Sequence, residues 1–212
     1  MPIYNGIEFI NDSVESVINQ TCTEWELIIG INGHHEGSPV FETAKIYEAK
    51  SNNIRVYDFH TLKGKSITLN QMIKLCNYNW IALLDVDDKW LPKKLEKQLA
   101  HINSYDIIGT ATRYFGDQDY IPNLPLGDIN NFNFLELNPI INSSCLVKKS
   151  LVVWDKNYDG VEDYELWLRL WKQNKFFFNV PEILVLHRIH NDSAFNAQGN
   201  NDKVANLINK YL

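Results

Sequence analysis

The chain lacks the features that would place it in a membrane, on a nucleic acid or outside a reducing compartment. No apolar run approaches the roughly 18 residues that a membrane-spanning helix needs, so no integral membrane segment is expected. Positive charge is in deficit, with 20 Lys and Arg against 26 Asp and Glu and a formal net charge of −6. That balance argues against nucleic acid as a partner. An anionic substrate would then need a metal ion or a local basic patch. Cysteine is scarce: Cys22, Cys76 and Cys145 are widely spaced, and no C-x-x-C occurs. Buried free thiols in a reducing compartment are expected. No basic segment leads into an apolar one at the N-terminus, so a secretory signal is not expected and the cytoplasm is the expected location. Repeats, low-complexity runs and linkers are missing too. One domain over residues 1–212 is therefore expected.

What is present is an ordinary globular composition, 45% hydrophobic and 22% charged over 212 residues. A chain of this length can bury a full core without staples. Ile7, Ile10, Val14, Val17 and Ile18 recur at helical spacing and predict a helix from about Glu8 to Asn19. Trp25 to Ile31 reads as a buried strand, Pro39 to Ala49 as a helix and Asn53 to Phe59 as a strand. A loop with Lys63 and Lys65 precedes a helix from Ile67 to Cys76. This alternation predicts a parallel sheet with helices on both faces. Further on, strands are predicted at Tyr105 to Ala111, Ile141 to Val147, Phe176 to Val180 and Ile183 to His187. Helices are predicted at Glu162 to Trp171 and Asp202 to Leu212, and Gly116 to Pro139 is a long loop.

The chain is organised around Trp80-Ile81-Ala82-Leu83-Leu84-Asp85-Val86-Asp87-Asp88. Five apolar residues suit a strand covered on both faces. Three carboxylates follow where it stops, and Pro92 suits the first turn of a helix running to about Leu99. Ligands of open α/β sheets bind outside the carboxyl ends of strands. Three acids there repel one another unless a cation sits between them. A divalent cation meets that need, because Mg²⁺ and Mn²⁺ take oxygen ligands and keep positions open for phosphate.

Four segments, in this order, resemble the GT-A-fold nucleotide-sugar glycosyltransferases of family 2. They are Pro2-Ile3-Tyr4-Asn5-Gly6; Gln20-Thr21 with Trp25-Glu26-Leu27-Ile28-Ile29; Asp85-Val86-Asp87-Asp88 with Trp90-Leu91-Pro92; and Glu162-Asp163 with Leu166-Trp167-Leu168-Arg169. The resemblance is strong from Met1 to about Leu99, thin after that, and resumes from Val161 to Ser193. It implies an α/β fold of the GT-A type with a mixed, mostly parallel central sheet. It also implies a metal-dependent, inverting transfer of a hexose from a nucleotide diphosphate sugar, with a UDP-sugar expected, to a hydroxyl of a glycan or glycoprotein. Residues 1–99 would form the nucleotide-sugar half and residues 100–212 the acceptor and base half.

Carried over by position, Asp87 would bind Mn²⁺ or Mg²⁺, and His190 would help hold metal or diphosphate. Asp85 would reach the ribose or the water shell of the metal, with Asp88 supporting either role. Tyr4 would stack on the base, with Pro2 supplying backbone beside it. Asp163 would be the general base, and Glu162, one residue away, stays an alternative. The chain also departs from the family. Relatives carry two aspartates and a glycine where Ile31, Asn32 and Gly33 stand; Asn32 can still accept a hydrogen bond from a pyrimidine N3–H. A basic residue common in relatives is here Leu69, and Lys63 or Lys65 could supply the charge instead. The first strand is expected to be a stub. The segment from Gly116 to Pro139 and the one after His190 would shape the acceptor side.

Two other classes remain at this point. A haloacid-dehalogenase-like phosphohydrolase would use Asp85 as nucleophile and Asp87 as acid, but its motif sits near the N-terminus and has Thr or Val where Lys89 stands. A non-catalytic nucleotide-sugar-binding module would keep the pocket and need no base. The chain is also compatible with being one module of a larger polypeptide.

Overall fold

The structure is a computed structural model and describes residues 1–190 and 199–212. Its first half alternates as the sequence predicts. Strand β1 (Pro2–Ile3) leads through a 3-10 turn at Ile7–Phe9 into α1 (Ile10–Ile18). Then come β2 (Leu27–Asn32), α2 (Pro39–Lys45), β3 (Ile54–Phe59) and α3 (Lys65–Leu75). Strands β1, β2 and β3 form a three-stranded parallel sheet with β2 in the centre. All six residues of β2 are buried, as both faces of a parallel sheet are covered by helices. The expected stub is β1, which is two residues long.

The second half begins with β4 (Trp80–Ala82), β5 (Lys89–Trp90) and α4 (Lys94–Leu99). It continues with β6 (Ile107–Gly116), β7 (Gly127–Asp128), β8 (Leu146–Lys148), α5 (Glu162–Lys172), β9 (Phe177–Ile189) and α6 (Asn200–Tyr211). The second sheet runs β4-β8-β6-β9-β5, with β7 paired to β9. Its pairings are antiparallel except β6 with β9. The α/β class and the mixed pairing are as expected, with the ladders divided into two sets.

Several boundaries differ from the sequence reading. The two short strands expected at 176–180 and 183–187 are one strand, β9. Its pairing with β6 passes from Thr110 with Val180 to Ala111 with Ile183, so Pro181 and Glu182 are skipped. Proline has no N–H for a ladder, and a bulge absorbs it. The expected strand at 141–147 contracts to β8, because Asn142–Ser144 form a 3-10 turn. Helix α3 starts two residues early, at Lys65. Asp159, 93 residues further on, accepts from the Ser66 N–H at 2.9 Å and caps that helix from outside.

The loop from Gly116 to Pro139 is pinned by its own apolar residues. Ile129 and Phe134 are buried, and Phe134 stacks on Trp171 of α5 with ring centroids 5.4 Å apart. Gln20 brackets the central acidic segment. Its Nε2 donates to the Leu91 carbonyl at 2.8 Å and its Oε1 accepts from the Leu95 N–H at 3.0 Å. The Thr21 N–H donates to the Pro92 carbonyl at 2.9 Å. The Gln20-Thr21 pair therefore serves the fold, fastening the end of α1 to the Trp90-Leu91-Pro92 turn.

Candidate active site

The expected five-residue strand covered on both faces contracts to β4, Trp80–Ala82, with only Ile81 buried, and the acids follow it after the buried Leu83 and Leu84. The Asp88 N–H donates to the Asp85 carbonyl at 3.2 Å, which makes 85–88 a tight turn. Asp85 is half-buried and fully engaged. Its Oδ1 lies 2.9 Å from the Lys65 ammonium, and its Oδ2 accepts from Asn142 Nδ2 at 2.9 Å. Burial works to raise its pKa, but Lys65 and Asn142 outweigh burial and hold the carboxyl below the ordinary range.

Asp87 has the opposite setting. Burial, then the neighbouring charges of Asp88 and Asp85, push its pKa up, against a hydrogen bond from His190. His190 Nε2 lies 3.1 Å from Asp87 Oδ2. Asp88 is completely buried. Its Oδ2 lies 2.9 Å from His187 Nδ1, and its Oδ1 accepts from the Arg188 N–H at 2.8 Å. Burial lowers the His187 pKa, but Asp88 beside it overcomes that and carries it up to about 9. His187 and Arg188 had no expected role. The signal for them was their place in the same short motif as His190.

The other side of the cluster comes from α5 and the end of the long loop. Asp163 is half-buried; its Oδ1 accepts from the Tyr164 N–H at 2.7 Å and its Oδ2 from Asn138 Nδ2 at 3.1 Å. Burial and the adjacent Glu162 push its pKa up to about 6, against Lys65, the Tyr164 N–H and Asn138. Glu162 is buried and committed elsewhere. Its Oε2 accepts from the Gly160 N–H at 2.6 Å, and its Oε1 lies 3.1 Å from Lys65 Nζ. Lys65 thus bridges Asp85 and Glu162. Burial opposes its charge, but the two carboxylates hold its pKa well above the usual lysine value.

At the carboxyl end of β2, Asn32 is buried and Tyr4 is exposed. The Tyr4 ring covers Gly33: a Cβ there would stand 2.6 Å from two ring carbons, and the φ of +78° also favours glycine. His34 Nε2 lies 2.6 Å from the Tyr4 carbonyl and fixes the turn. Pro2 pairs with Gly30 at the start of the same edge. Lys63 is exposed, and among the described residues nothing ties it to the acids. The structure therefore brings together Asp85, Asp87, Asp88, His190, Lys65, Glu162 and Asp163, with Pro2, Tyr4 and Asn32 at the adjacent strand ends. It leaves Lys63 outside. Asn138 lies on irregular backbone without a periodic signal, and Asn142 opens a 3-10 turn where the sequence predicts a strand.

The donor set can be tested for a cation by its chemistry. Among the described residues, no group of three His, Cys, Asp or Glu side chains is arranged to hold a metal. Asp87 and His190 offer one carboxylate and one imidazole side by side, a pair that suits Mn²⁺ and leaves positions for phosphate oxygens and water. The carboxylate repulsion at Asp87 is what a bound cation would relieve, so these residues fit such an ion.

Comparison with known proteins agrees with this architecture. The sequence profile of glycosyl transferase family 2 matches residues 1–148. The chain belongs to glycosyl transferase family 2. This glycosyltransferase is 31% identical over 207 residues to the O-antigen biosynthesis glycosyltransferase WbnJ of Escherichia coli, across 92% of this chain and 80% of WbnJ. It is 27% identical over 204 residues to the amylovoran biosynthesis glycosyltransferase AmsE of Erwinia amylovora, across 91% of this chain and 75% of AmsE.

Among solved structures, S. aureus TarS 1-349 in complex with UDP-GlcNAc superposes with a TM-score of 0.79 at 15% identity. That match covers 99% of this glycosyltransferase and 64% of the TarS chain. The mannosyltransferase PcManGT of Pyrobaculum calidifontis, in complex with GDP-Man and Mn²⁺, gives a TM-score of 0.69 at 10% identity, over 91% of this chain and 56% of that one. The chain thus spans less than two thirds of these two structures. The fold is GT-A, the enzyme is a glycosyltransferase, and the phosphohydrolase alternative is set aside. No helix among the described residues is long and apolar enough to cross a membrane.

Proposed function

We propose that the enzyme transfers a hexose from a UDP-sugar to a hydroxyl of a glycan, with inversion at the anomeric carbon and with Mn²⁺ or Mg²⁺ bound at Asp87 and His190. One observation carries this reading. Two carboxylates of opposite setting share one cluster, joined through Lys65 and Glu162: Asp85, held below the ordinary range by Lys65 and Asn142, and Asp163, raised to about 6 and held by Asn138. Pairs of acids pushed into different settings mark divided roles. The glycan or glycoprotein acceptor of the sequence reading narrows here to a glycan because WbnJ and AmsE are named for O-antigen and amylovoran biosynthesis. The UDP-sugar follows the UDP-GlcNAc complex of TarS, and the metal follows the Mn²⁺ of PcManGT.

In this mechanism Tyr4 stacks on the base and Asn32 meets its edge. Asp85, held by Lys65 and Asn142, faces the ribose. A bound divalent cation would supply Lewis-acid stabilisation of the departing nucleoside diphosphate. Asp163 accepts the proton of the acceptor hydroxyl as that oxygen bonds to the anomeric carbon and the bond to the diphosphate oxygen breaks. Glu162 anchors Lys65 and the start of α5. Asp88 ties the acidic turn to β9. Residues 1–99 then serve as the donor half and residues 100–212 as the acceptor and base half of one domain. The proposed acceptor side includes the loop from Gly116 to Pro139; the segment after His190 falls on 191–198, outside the described residues. The three free cysteines fit a reducing compartment such as the cytoplasm.

The test is thermal unfolding with UDP-, GDP- and dTDP-sugars, each with Mn²⁺ and with chelator. A donor at 100 times its Kd should stabilise the fold by about 2.7 kcal/mol. A shift with UDP-sugars that needs Mn²⁺ is the expected result. A shift of equal size in chelator would remove the metal from the mechanism, and a shift with GDP-sugars alone would replace the base.

A further inference from the structure

The acidic turn is gripped from one side by consecutive residues of β9. His187 Nδ1 and the Arg188 N–H both reach the buried Asp88 carboxylate, at 2.9 and 2.8 Å. The Arg188 side chain then does something separate. Its Nε donates to the main-chain carbonyl of Asp87 at 2.9 Å, and its Nη2 donates to Asp12 Oδ2 at 3.0 Å. Its guanidinium carbon lies 4.4 Å from the ring centroid of Phe9 and 4.5 Å from that of Phe115. Only 16% of the side chain is exposed.

A guanidinium packed against two rings and directed at a main-chain carbonyl is placed to fix backbone. The carbonyl in question belongs to Asp87, whose side chain meets His190. Asp12 lies on α1, so Arg188 also joins that helix to the turn. We propose that Arg188 is a positioning residue that holds the acidic turn in the shape Asp87 needs to bind a divalent cation. This rests on the metal reading above and assigns Arg188 a role through the backbone of the turn.

The measurement is Mn²⁺ binding by electron paramagnetic resonance, with and without UDP and without donor sugar, alongside thermal unfolding in chelator. Arg188→Met keeps an apolar stem between Phe9 and Phe115 and removes the hydrogen bonds to the turn and to Asp12. The backbone N–H to Asp88 and the His187 contact survive it. Loss of such an outer partner typically weakens metal binding about 10–100-fold, and the Mn²⁺ Kd of Arg188→Met should rise by at least about tenfold. Arg188→Lys keeps the charge without the planar fork and should fall between the two. Asp12→Asn, one step further out, should change the Kd less than Arg188→Met.

If Arg188 only stabilised the fold, unfolding would move and the Mn²⁺ Kd would not. An unchanged Kd in Arg188→Met overturns this proposal and leaves the metal reading in place. Wild-type protein that binds no Mn²⁺, with or without UDP, overturns the metal reading and this proposal with it. If Arg188→Met does not fold, Arg188→Lys and Asp12→Asn carry the test: a raised Kd in Arg188→Lys supports the proposal, and unchanged values in both overturn it.

Discussion

Lys65 Nζ lies 3.1 Å from Glu162 Oε1, a contact between residues 97 positions apart that joins the proposed donor half of the site to the proposed base half. The same ammonium lies 2.9 Å from Asp85 Oδ1. Glu162 is thereby occupied, and its neighbour Asp163 is left as the carboxylate with the raised pKa. Asp163, and Glu162 as its alternative, are thus told apart by their partners.

Lys65→Met should separate these effects. It strands two carboxylates, one of them buried. Breaking a fully buried pair costs about 3–5 kcal/mol, and the part-exposure of Lys65 should reduce this to about 2 kcal/mol. Denaturant unfolding checks the loss. Because the Lys65 charge also holds the Asp163 pKa down, the acidic limb of the pH–rate profile should move to higher pH in this variant.

As the proposed base, Asp163 should set the pH dependence of the wild type. Its pKa is raised to about 6, so above that value the carboxylate is ionised and can accept a proton. Below it, kcat/KM should fall about tenfold per pH unit. Asp163→Asn should lose about 10²–10⁴-fold in kcat, the usual span for a lost general base, while donor binding persists. Full activity in Asp163→Asn would remove it as the base.

Asp87→Asn should trade binding against stability. The Mn²⁺-dependent part of the donor-induced thermal shift should vanish. In chelator the variant should melt no lower than wild type, and its midpoint should rise if the strain is large. The reason is that Asp88 and Asp85 disfavour a charged Asp87, and a neutral amide escapes that repulsion. A clearly lower midpoint in chelator would contradict the account of the turn.

Lys94 offers a test away from the site. It is completely buried, donates to Gln98 Oε1 at 2.8 Å and lies 4.0 Å from the Trp90 ring centroid. Burial pushes its pKa down to about 7, opposed by nearby Cys145. The unfolded chain keeps the proton up to about pH 10.4. Between those values the unfolded state binds more protons, so this group makes stability rise with pH, by up to about 1.4 kcal/mol per unit. Urea unfolding from pH 7 to 9 should show a steeper rise in wild type than in Lys94→Met.

Gly33 is the steric test of the donor edge. Gly33→Ala would push a methyl group into the Tyr4 ring at a backbone φ of +78°. The expected outcome is weaker UDP binding, read by calorimetry, with the acidic turn and its Mn²⁺ binding intact.

Much of the site was legible because it lies on regular structure. A five-residue apolar run followed by Asp85, Asp87 and Asp88 pointed to the region beyond a strand end, where ligands of α/β sheets bind, although the strand itself, β4, stops at Ala82. Asp163 was legible as an acid opening an amphipathic helix within a recurring motif. Asn138 was not, because irregular backbone has no period, and Asn142 was not, because its surroundings read as a strand where a 3-10 turn forms. The merging of 176–180 and 183–187 into one strand was hidden by Pro181, which reads as a breaker until β6 supplies a partner that tolerates a bulge. Helix α3 began early because its cap, Asp159, comes from far along the chain.

The sequence by itself determined the alternation of strands and helices, the burial of β2 and the appearance of acids at a strand end, because periodicity and solvent transfer act locally along the chain. It determined family membership through ordered motifs. The tertiary structure alone decided which acid is neutralised and which is left strained. Lys65 was one of two lysines on a loop, and only folding placed it between Asp85 and Glu162 while leaving Lys63 in solvent. Charge interactions depend on distance and burial, and neither quantity is carried by position along a chain.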